Sequence, residues 1–243
     1  MRKFILIAIL SLFILAGCAS QATPSPTAPA AAAPAQIEIQ PTEVPAADPT
    51  EAPSATQAQA PAIAGGPLEL NIVPGDSSVS YEVGETLFNQ NNRFNLAVGT
   101  TTQLSGKINL DPANPQNSSI GTIEVDISQF KSDSGRRDNT IRDRFLESSR
   151  YPIATFVPGQ IDGLPSSYSE GETLSFKVSG DLTVHEVTKP VTFDVQATLA
   201  NNELQGTATS TILMSDFGVG PIEMAGILGT EDEVKITMQF VAR

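Results

Sequence analysis

Apolar and polar residues alternate with a period of two through most of residues 67–243. Val79, Tyr81 and Val83 share one side of an extended chain. So do Leu104, Ile108 and Leu110, with Gly106 between them, and then Ile123, Val125 and Ile127. Leu174, Phe176, Val178, Leu182 and Val184 form a longer run, followed by Val191, Phe193, Val195, Ala197 and Leu199. Leu204, Ala208, Ile212 and Met214 come next, then Val234, Ile236, Met238 and Phe240. The residues between them are mostly Ser, Thr, Lys, Asp, Glu and Gln. Successive side chains of a strand point to opposite faces, so each run predicts a strand with one apolar and one wet face, as in antiparallel sheet. Asp111-Pro112, Asn201-Asn202 and the acidic Glu231-Asp232-Glu233 read as turns, the last as an exposed hairpin turn.

Only residues 138–147 predict a helix. Ile141, Phe145 and Leu146 give it a narrow apolar stripe, Asp138 is the expected N-cap, and Tyr151-Pro152 ends it and starts an extended segment. With so little helix, only the sheet itself can cover the sheet's apolar face. The expected fold is all-β: a closed antiparallel barrel of about eight strands with one short inserted helix. Small residues at the inward positions Gly106, Gly180, Ala197, Gly206, Ala208 and Ser210 leave two readings open. Either the lumen is underfilled and admits a hydrocarbon chain, or these positions mark tight bends of the strands.

The start of the chain has another character. Arg2 and Lys3 precede an apolar run over residues 4–15, and Leu15-Ala16-Gly17-Cys18 follows. The run is shorter than the roughly 20 residues of a spanning helix and no basic cluster follows it, so it reads as a bacterial lipoprotein signal over residues 1–17. Cleavage before Cys18 would leave that residue acylated. The expected location is extracytoplasmic, lipid-anchored to a membrane of the cell envelope. Residues 18–66 comprise this cysteine and a Pro/Ala-rich linker, which holds 9 of the chain's 18 prolines. Its composition cannot bury enough apolar surface to order itself, so it is expected to be a disordered spacer. Residues 67–243 suffice for one domain with its own core.

Composition narrows the function. The formal net charge is −13, and a strongly acidic surface repels nucleic acid. Cys18 is the only cysteine and His185 the only histidine, which excludes an intrachain disulfide and any site that needs two imidazoles. His185 is expected to make a structural hydrogen bond to a neighbouring turn. Glu124, Asp126 and Asp194 fall on outward faces, which leaves no inward carboxylate pair for catalysis. No G-x-S-x-G elbow, calcium loop or phosphate-cradling glycine motif is present. Neither an enzyme activity, a metal nor a cofactor is expected.

Four blocks resemble the YceI-like family. One is Arg136-Arg137-Asp138-Asn139-Thr140-Ile141-Arg142-Asp143-Arg144-Phe145-Leu146-Glu147-Ser148, continued by Tyr151-Pro152-Ile153-Ala154-Thr155-Phe156. Another is Gly180-Asp181-Leu182-Thr183-Val184-His185-Glu186-Val187-Thr188-Lys189-Pro190-Val191. The others are Leu104-Ser105-Gly106-Lys107-Ile108 and Ser215-Asp216-Phe217-Gly218-Val219. The resemblance covers residues 76–243. It implies a lipocalin-like, eight-stranded barrel and a carrier of long apolar molecules, polyisoprenoids above all. Glu186 stands where many members have Gly, and Phe145 where many have His. The class of ligand therefore carries over and the particular lipid does not.

The expected function is non-catalytic binding, sequestration or transport of a long apolar ligand, isoprenoid or fatty-acid-like. The expected lining is Tyr81, Leu104, Ile108, Ile123, Val125, Leu174, Phe176, Val178, Leu182, Phe193, Val195, Ala208, Ile212, Met214, Ile236 and Met238, with Phe145 from the helix and Phe156 beyond it. Arg137 and Arg142, in the one dense basic patch, are candidates for a headgroup because guanidinium groups bind phosphate and carboxylate bidentately. A second copy of the chain is a further candidate partner. The competing functions are a structural or interaction module of the envelope with a filled barrel, or an enzyme acting at the barrel mouth.

Overall fold

The structure is a computed structural model and describes residues 66–243. The expected signal over residues 1–17, Cys18 and the linker lie outside the described residues, Gly66 excepted.

Thirteen strands follow one another: β1 (Leu68–Asn71), β2 (Ser78–Leu87), β3 (Arg93–Thr101), β4 (Leu104–Ser105), β5 (Lys107–Leu110), β6 (Ser119–Ile120), β7 (Ile123–Asp126), β8 (Ile153–Asp162), β9 (Thr173–Val184), β10 (Val187–Ala200), β11 (Glu203–Leu213), β12 (Glu223–Met224) and β13 (Leu228–Ala242). Helix α1 (Gly135–Thr140) continues into one π-helical turn, Ile141–Phe145. The large sheet runs β3-β2-β13-β11-β10-β9-β8-β7-β4, with β12 added on β13; β1, β5 and β6 form a small second sheet. Every paired strand in both sheets is antiparallel. The sheet is curled, and its path begins and finishes on β3 and β4, which only Thr102 and Gln103 separate in the chain.

The alternating runs became β2, β9, β10, β11 and β13, with their apolar faces turned to a common interior. Asn201 and Asn202, both in the left-handed region, make the two-residue link from β10 to β11 (φ 53° and 61°), a conformation that Asn tolerates better than most side chains.

Four local expectations are corrected. Residues 104–110 do not form one strand: the chain breaks at Gly106, with β4 joining the large sheet and β5 the small one. A Cβ at residue 106 would lie 2.4 Å from Ile123 Cδ1, so any larger residue there must displace the Ile123 side chain. The acidic triplet 231–233 is no hairpin turn. It lies inside β13, where the register against β2 shifts between Thr230 and Val234, and Asp232 accepts hydrogen bonds from Ser215 N (2.8 Å) and Ser215 Oγ (2.5 Å). The helix starts at Gly135, three residues before its expected start, capped by the Ser134 side chain. Asp138 accepts instead from Ser132 N (3.0 Å) and Oγ (2.6 Å), which ties the preceding loop to the helix.

Strand β3 has no counterpart among the expected strands, because its alternation is reversed. Phe94, Leu96 and Val98 face outward (62, 52 and 40% exposed), while Asn95, Ala97, Gly99 and Thr101 face inward.

The other small inward positions divide into two kinds. Gly206 pairs with Phe240 across β11 and β13, and a Cβ there would sit 2.5 Å from both Phe240 Cζ and the Gln196 carbonyl oxygen. At Gly180 it would sit 2.3 Å from the Val157 carbonyl oxygen. These glycines seat a neighbouring ring or backbone. Gly206→Ala should therefore cost about 1–3 kcal/mol through overpacking. Gly135→Ala, where a Cβ meets nothing within 4 Å, should be near neutral. Urea denaturation of the two variants distinguishes a seated glycine from a free one.

Candidate functional site

The inward faces of the large sheet enclose a cavity of about 290 Å³. That is near the small end of the range for ligand pockets, roughly 300–1,000 Å³, and suits a slender occupant. The register gives its orientation. Residues 173 and 200 mark one end of the β9–β10 pair and the His185-Glu186 link marks the other. At the first end the lining includes Pro112, Pro115, Leu164 and Tyr168; at the second it includes Val184, Phe217, Val219 and Ile222. Between them the wall is almost wholly aliphatic and aromatic, and among the described residues no charged one lines it. The aromatic groups meet edge to face, Tyr81 on Phe130 (5.2 Å between ring centres) and Phe156 on Phe193 (5.0 Å), the geometry that aromatic quadrupoles favour.

Seventeen of the eighteen expected lining residues surround this one cavity: Tyr81, Ile108, Ile123, Val125, Phe145, Phe156, Leu174, Phe176, Val178, Leu182, Phe193, Val195, Ala208, Ile212, Met214, Ile236 and Met238. Leu104 does not line it. That side chain is buried in the packing between the sheets, because the chain turns away at Gly106. The alternation did not reveal Phe130, Leu164, Tyr168 and Phe217, which sit in loops and short 3-10 turns. Ile141 and Leu146 also line the cavity, and the apolar stripe of the helix carried that signal.

The first end is fixed by Tyr168, whose hydroxyl accepts from Leu199 N (2.9 Å) and lies 2.6 Å from the Leu199 carbonyl oxygen and 3.1 Å from that of Glu172. The second end is covered by α1 and its π-helical turn, through Ile141, Phe145 and Leu146. Glu85, almost fully buried on β2, holds this cover down. Glu85 Oε1 accepts from Arg137 Nη2 (2.7 Å) and from Asn95 Nδ2 (2.7 Å), and Arg137 also pairs with Asp133. Glu85 is the inward carboxylate that the sequence analysis did not single out.

Arg137 and Arg142 lie outside the cavity lining. Arg137 is committed to the two carboxylates, and Arg142 donates to the Ser128 carbonyl (2.9 Å) and to Asn139 Oδ1 (2.9 Å). His185 also departs from expectation. It occupies the first position of the β9–β10 link at φ 58°, its ring tilted by 58° against that of Tyr151 at 4.4 Å between ring centres. Among the described residues its buried Nε2 has no hydrogen-bond partner, and the nearest carboxylate oxygen, Glu147 Oε1, is 3.6 Å away.

Burial, reinforced by the Asp138 carboxylate, pushes the Tyr81 phenol up to about 12. A phenol that ionises near 10 in the unfolded chain then keeps its proton longer in the folded one. The folded state binds the extra proton, so stability present below pH 10 is lost as pH rises from about 10 to about 12. Wild-type stability should fall by about 2 kcal/mol across that window, and Tyr81→Phe should flatten the slope. Denaturation at a series of alkaline pH values checks this. Glu85→Ala, which strands the Arg137 guanidinium beside Asp133 alone, should cost about 3 kcal/mol. Lys107→Ala, which breaks the exposed pair with Glu69, should cost under about 1 kcal/mol.

Comparisons with known proteins agree with this geometry. Residues 70–242 match the model of the YceI-like domain. A UPF0312 protein of Pseudomonas putida (strain GB-1) is 34% identical over 131 residues, 51% of this chain and 64% of that protein. A Vibrio cholerae UPF0312 protein is 29% identical over 128 residues, 50% of this chain and 64% of that protein. The matched region thus spans somewhat under two thirds of the length of these relatives. Among solved structures, BcnA of Burkholderia cenocepacia superposes with a TM-score of 0.55 at 23% identity, over 71% of this chain and 99% of that one. A polyisoprenoid binding domain from Saccharophagus degradans, implicated in plant cell wall breakdown, superposes at 0.53 and 14% identity, over 72% and 97%. At these identities the structural likeness is one of fold. With a family match across the whole described sheet and an interior of the same all-β architecture, this chain belongs to the YceI-like family.

Proposed function

We propose that the chain binds a long apolar ligand, a polyisoprenoid or similar lipid, in this cavity, and sequesters or carries it without catalysis. One observation carries the reading: an elongated cavity lined from one end of the strands to the other by apolar side chains, with no charge along it. Each methylene moved from water into such a wall contributes about 0.8 kcal/mol before ordering costs, so ten or more suffice for tight binding. The polyisoprenoid-binding domain with the same fold supports the ligand class. The sheet is proposed to close as a barrel where β3 passes through Thr102 and Gln103 into β4, which would seal the lumen along its length. Acylated Cys18 would hold the domain at a membrane outside the cytoplasm, with residues 19–66 as its tether.

A second reading, an envelope interaction module that self-associates, is favoured by the outward Phe94, Leu96 and Val98 on β3. Sedimentation at increasing concentration separates it, since a monomer throughout would count against it.

Native mass spectrometry of gently purified protein should reveal a bound lipid mass or uptake of added prenyl lipid. Apo protein that takes up none would overturn the carrier reading. Ala208→Phe places a ring in the lumen and should lower lipid uptake at least about tenfold while the folded state persists. Unchanged uptake by this variant would show that the ligand binds elsewhere.

A further inference from the structure

Exposed aromatic side chains gather at one end of the strands. Chain direction alternates along the sheet, so the end of β2, the start of β3 and the start of β13 lie at the end that the helix covers. Phe94, Thr86 and Gly229 stand side by side across β3, β2 and β13, on the outer face. Two outer glycines seat the rings there. A Cβ at Gly84 would lie 3.0 Å from Phe94 Cε2, and one at Gly229 would lie 3.2 Å from Phe88 Cζ. Phe88 N donates to the Ile227 carbonyl (2.8 Å), which sets two exposed side chains next to each other, and exposed Leu96 continues the patch along β3. Single exposed apolar side chains are ordinary, but a contiguous patch marks an interaction site.

The cations show what the patch can meet. Lys107, Lys177, Lys189, Lys235, Arg150 and Arg243 each lie within 4.0 Å of a carboxylate, and Arg137 and Arg142 are held as described above. Among the described residues, the side chains of Arg93, Lys131, Arg136 and Arg144 are exposed and have no ion-pair or hydrogen-bond partner. Lys131 bridges Thr100, toward the far end of β3. The three arginines border the patch. Arg93 precedes Phe94, and Arg136 and Arg144 lie on the helix, which abuts β3 through the contacts of Arg137 with Glu85 and of Glu85 with Asn95. The acidic groups on this side are Asp133, already paired with Arg137, exposed Asp143, and Glu231, whose carboxylate lies over Gly84. The chain as a whole carries a formal charge of −13. An anionic surface therefore repels most of the domain and turns this end toward itself.

We propose that this patch (Phe88, Phe94, Leu96 and Ile227, bordered by Arg93, Arg136 and Arg144) docks the domain on an anionic lipid bilayer, with the helix-covered end of the cavity against the headgroups. Charge selects the face and the apolar side chains hold it. Aromatic and aliphatic groups settle at headgroup level, and arginines beside them pair with lipid phosphates. A second copy of this chain is the poorer occupant, because two-fold contact through the patch sets the same arginines against one another. An N-terminal tether alone would leave the domain free to turn, whereas a docking face fixes its orientation. The inference goes beyond the carrier reading and does not depend on it, since the patch lies on the outer face of the sheet.

The full chain contains no Trp. Phe94→Trp and Thr173→Trp, at opposite ends of the strands, therefore each carry a single fluorophore. Phosphatidylglycerol vesicles with brominated acyl chains quench a fluorophore that enters the bilayer. Any attachment through the N-terminal segment brings both variants to the same vesicle and cancels in the comparison. Phe94→Trp should be quenched at least about threefold more than Thr173→Trp. Adding Arg93→Gln, Arg136→Gln and Arg144→Gln to Phe94→Trp should remove most of that excess, as should brominated phosphatidylcholine in place of phosphatidylglycerol. Leu96→Trp repeats the measurement should Phe94→Trp fail to fold. Equal quenching at the two ends would overturn the proposal, as would an excess that survives either change. A blue shift of the Phe94→Trp emission that grows with protein concentration in the absence of vesicles would assign the patch to a second copy, and would overturn it too.

Discussion

An antiparallel sheet with one apolar face must bury that face, and among the described residues only the small sheet of β1, β5 and β6, short 3-10 turns, and α1 with its π-helical turn help. The sheet therefore curls onto itself, and burial of the inward side chains of β2, β9, β10, β11 and β13 is the interaction on which the rest depends. The curl brings the two ends of the strand path to neighbouring residues, β3 and β4, and it gathers the apolar faces around one space. The helix cannot form a second layer, so it covers one end of that space.

That space stays open because of how the large rings are accommodated. Gly206 and Gly99 stand opposite Phe240 and Tyr81, and in each case a Cβ would collide with the ring. The aromatic side chains can lie against the neighbouring strand, a known device for cross-strand glycine pairs. Small residues thus serve two purposes. Ala197 and Ala208 line the cavity directly, while the glycines remove obstruction by seating rings along the wall. At the helix end the chain departs from apolar chemistry, and there the Glu85–Arg137 pair fixes the cover with a geometry that hydrophobic contact alone would not specify.

Local periodicity carried much of this fold. The long strands and nearly all of the expected lining were legible, since a side chain two residues further along a strand returns to the same face. The failures share a cause, which is a dependence on partners distant in the chain. Strand β3 reads as irregular because its apolar side chains face outward and its inward ones are Asn, Ala, Gly and Thr. The split at Gly106 follows from packing against Ile72 and Ile123. The acidic triplet looks like a turn, and only the pairing with β2 makes it a bulge. Arg137 looked available for a headgroup because Glu85, its chief partner, lies 52 residues away. Arg142 likewise donates to a carbonyl 14 residues earlier.

The position of β13 bears on biosynthesis. This strand, last in chain order among those described, sits in mid-sheet between β11 and β2, and Ala242, wholly buried, bridges Ile72 near the other end of the domain. As the polypeptide leaves the ribosome, the β2–β3 pair must wait for its neighbour until almost every other strand has emerged. Until then the greasy side of the sheet has two open edges, and a nascent chain cannot assemble the domain piece by piece. Maturation is thereby a single late event, with the preceding interval the period in which chaperones have most to protect.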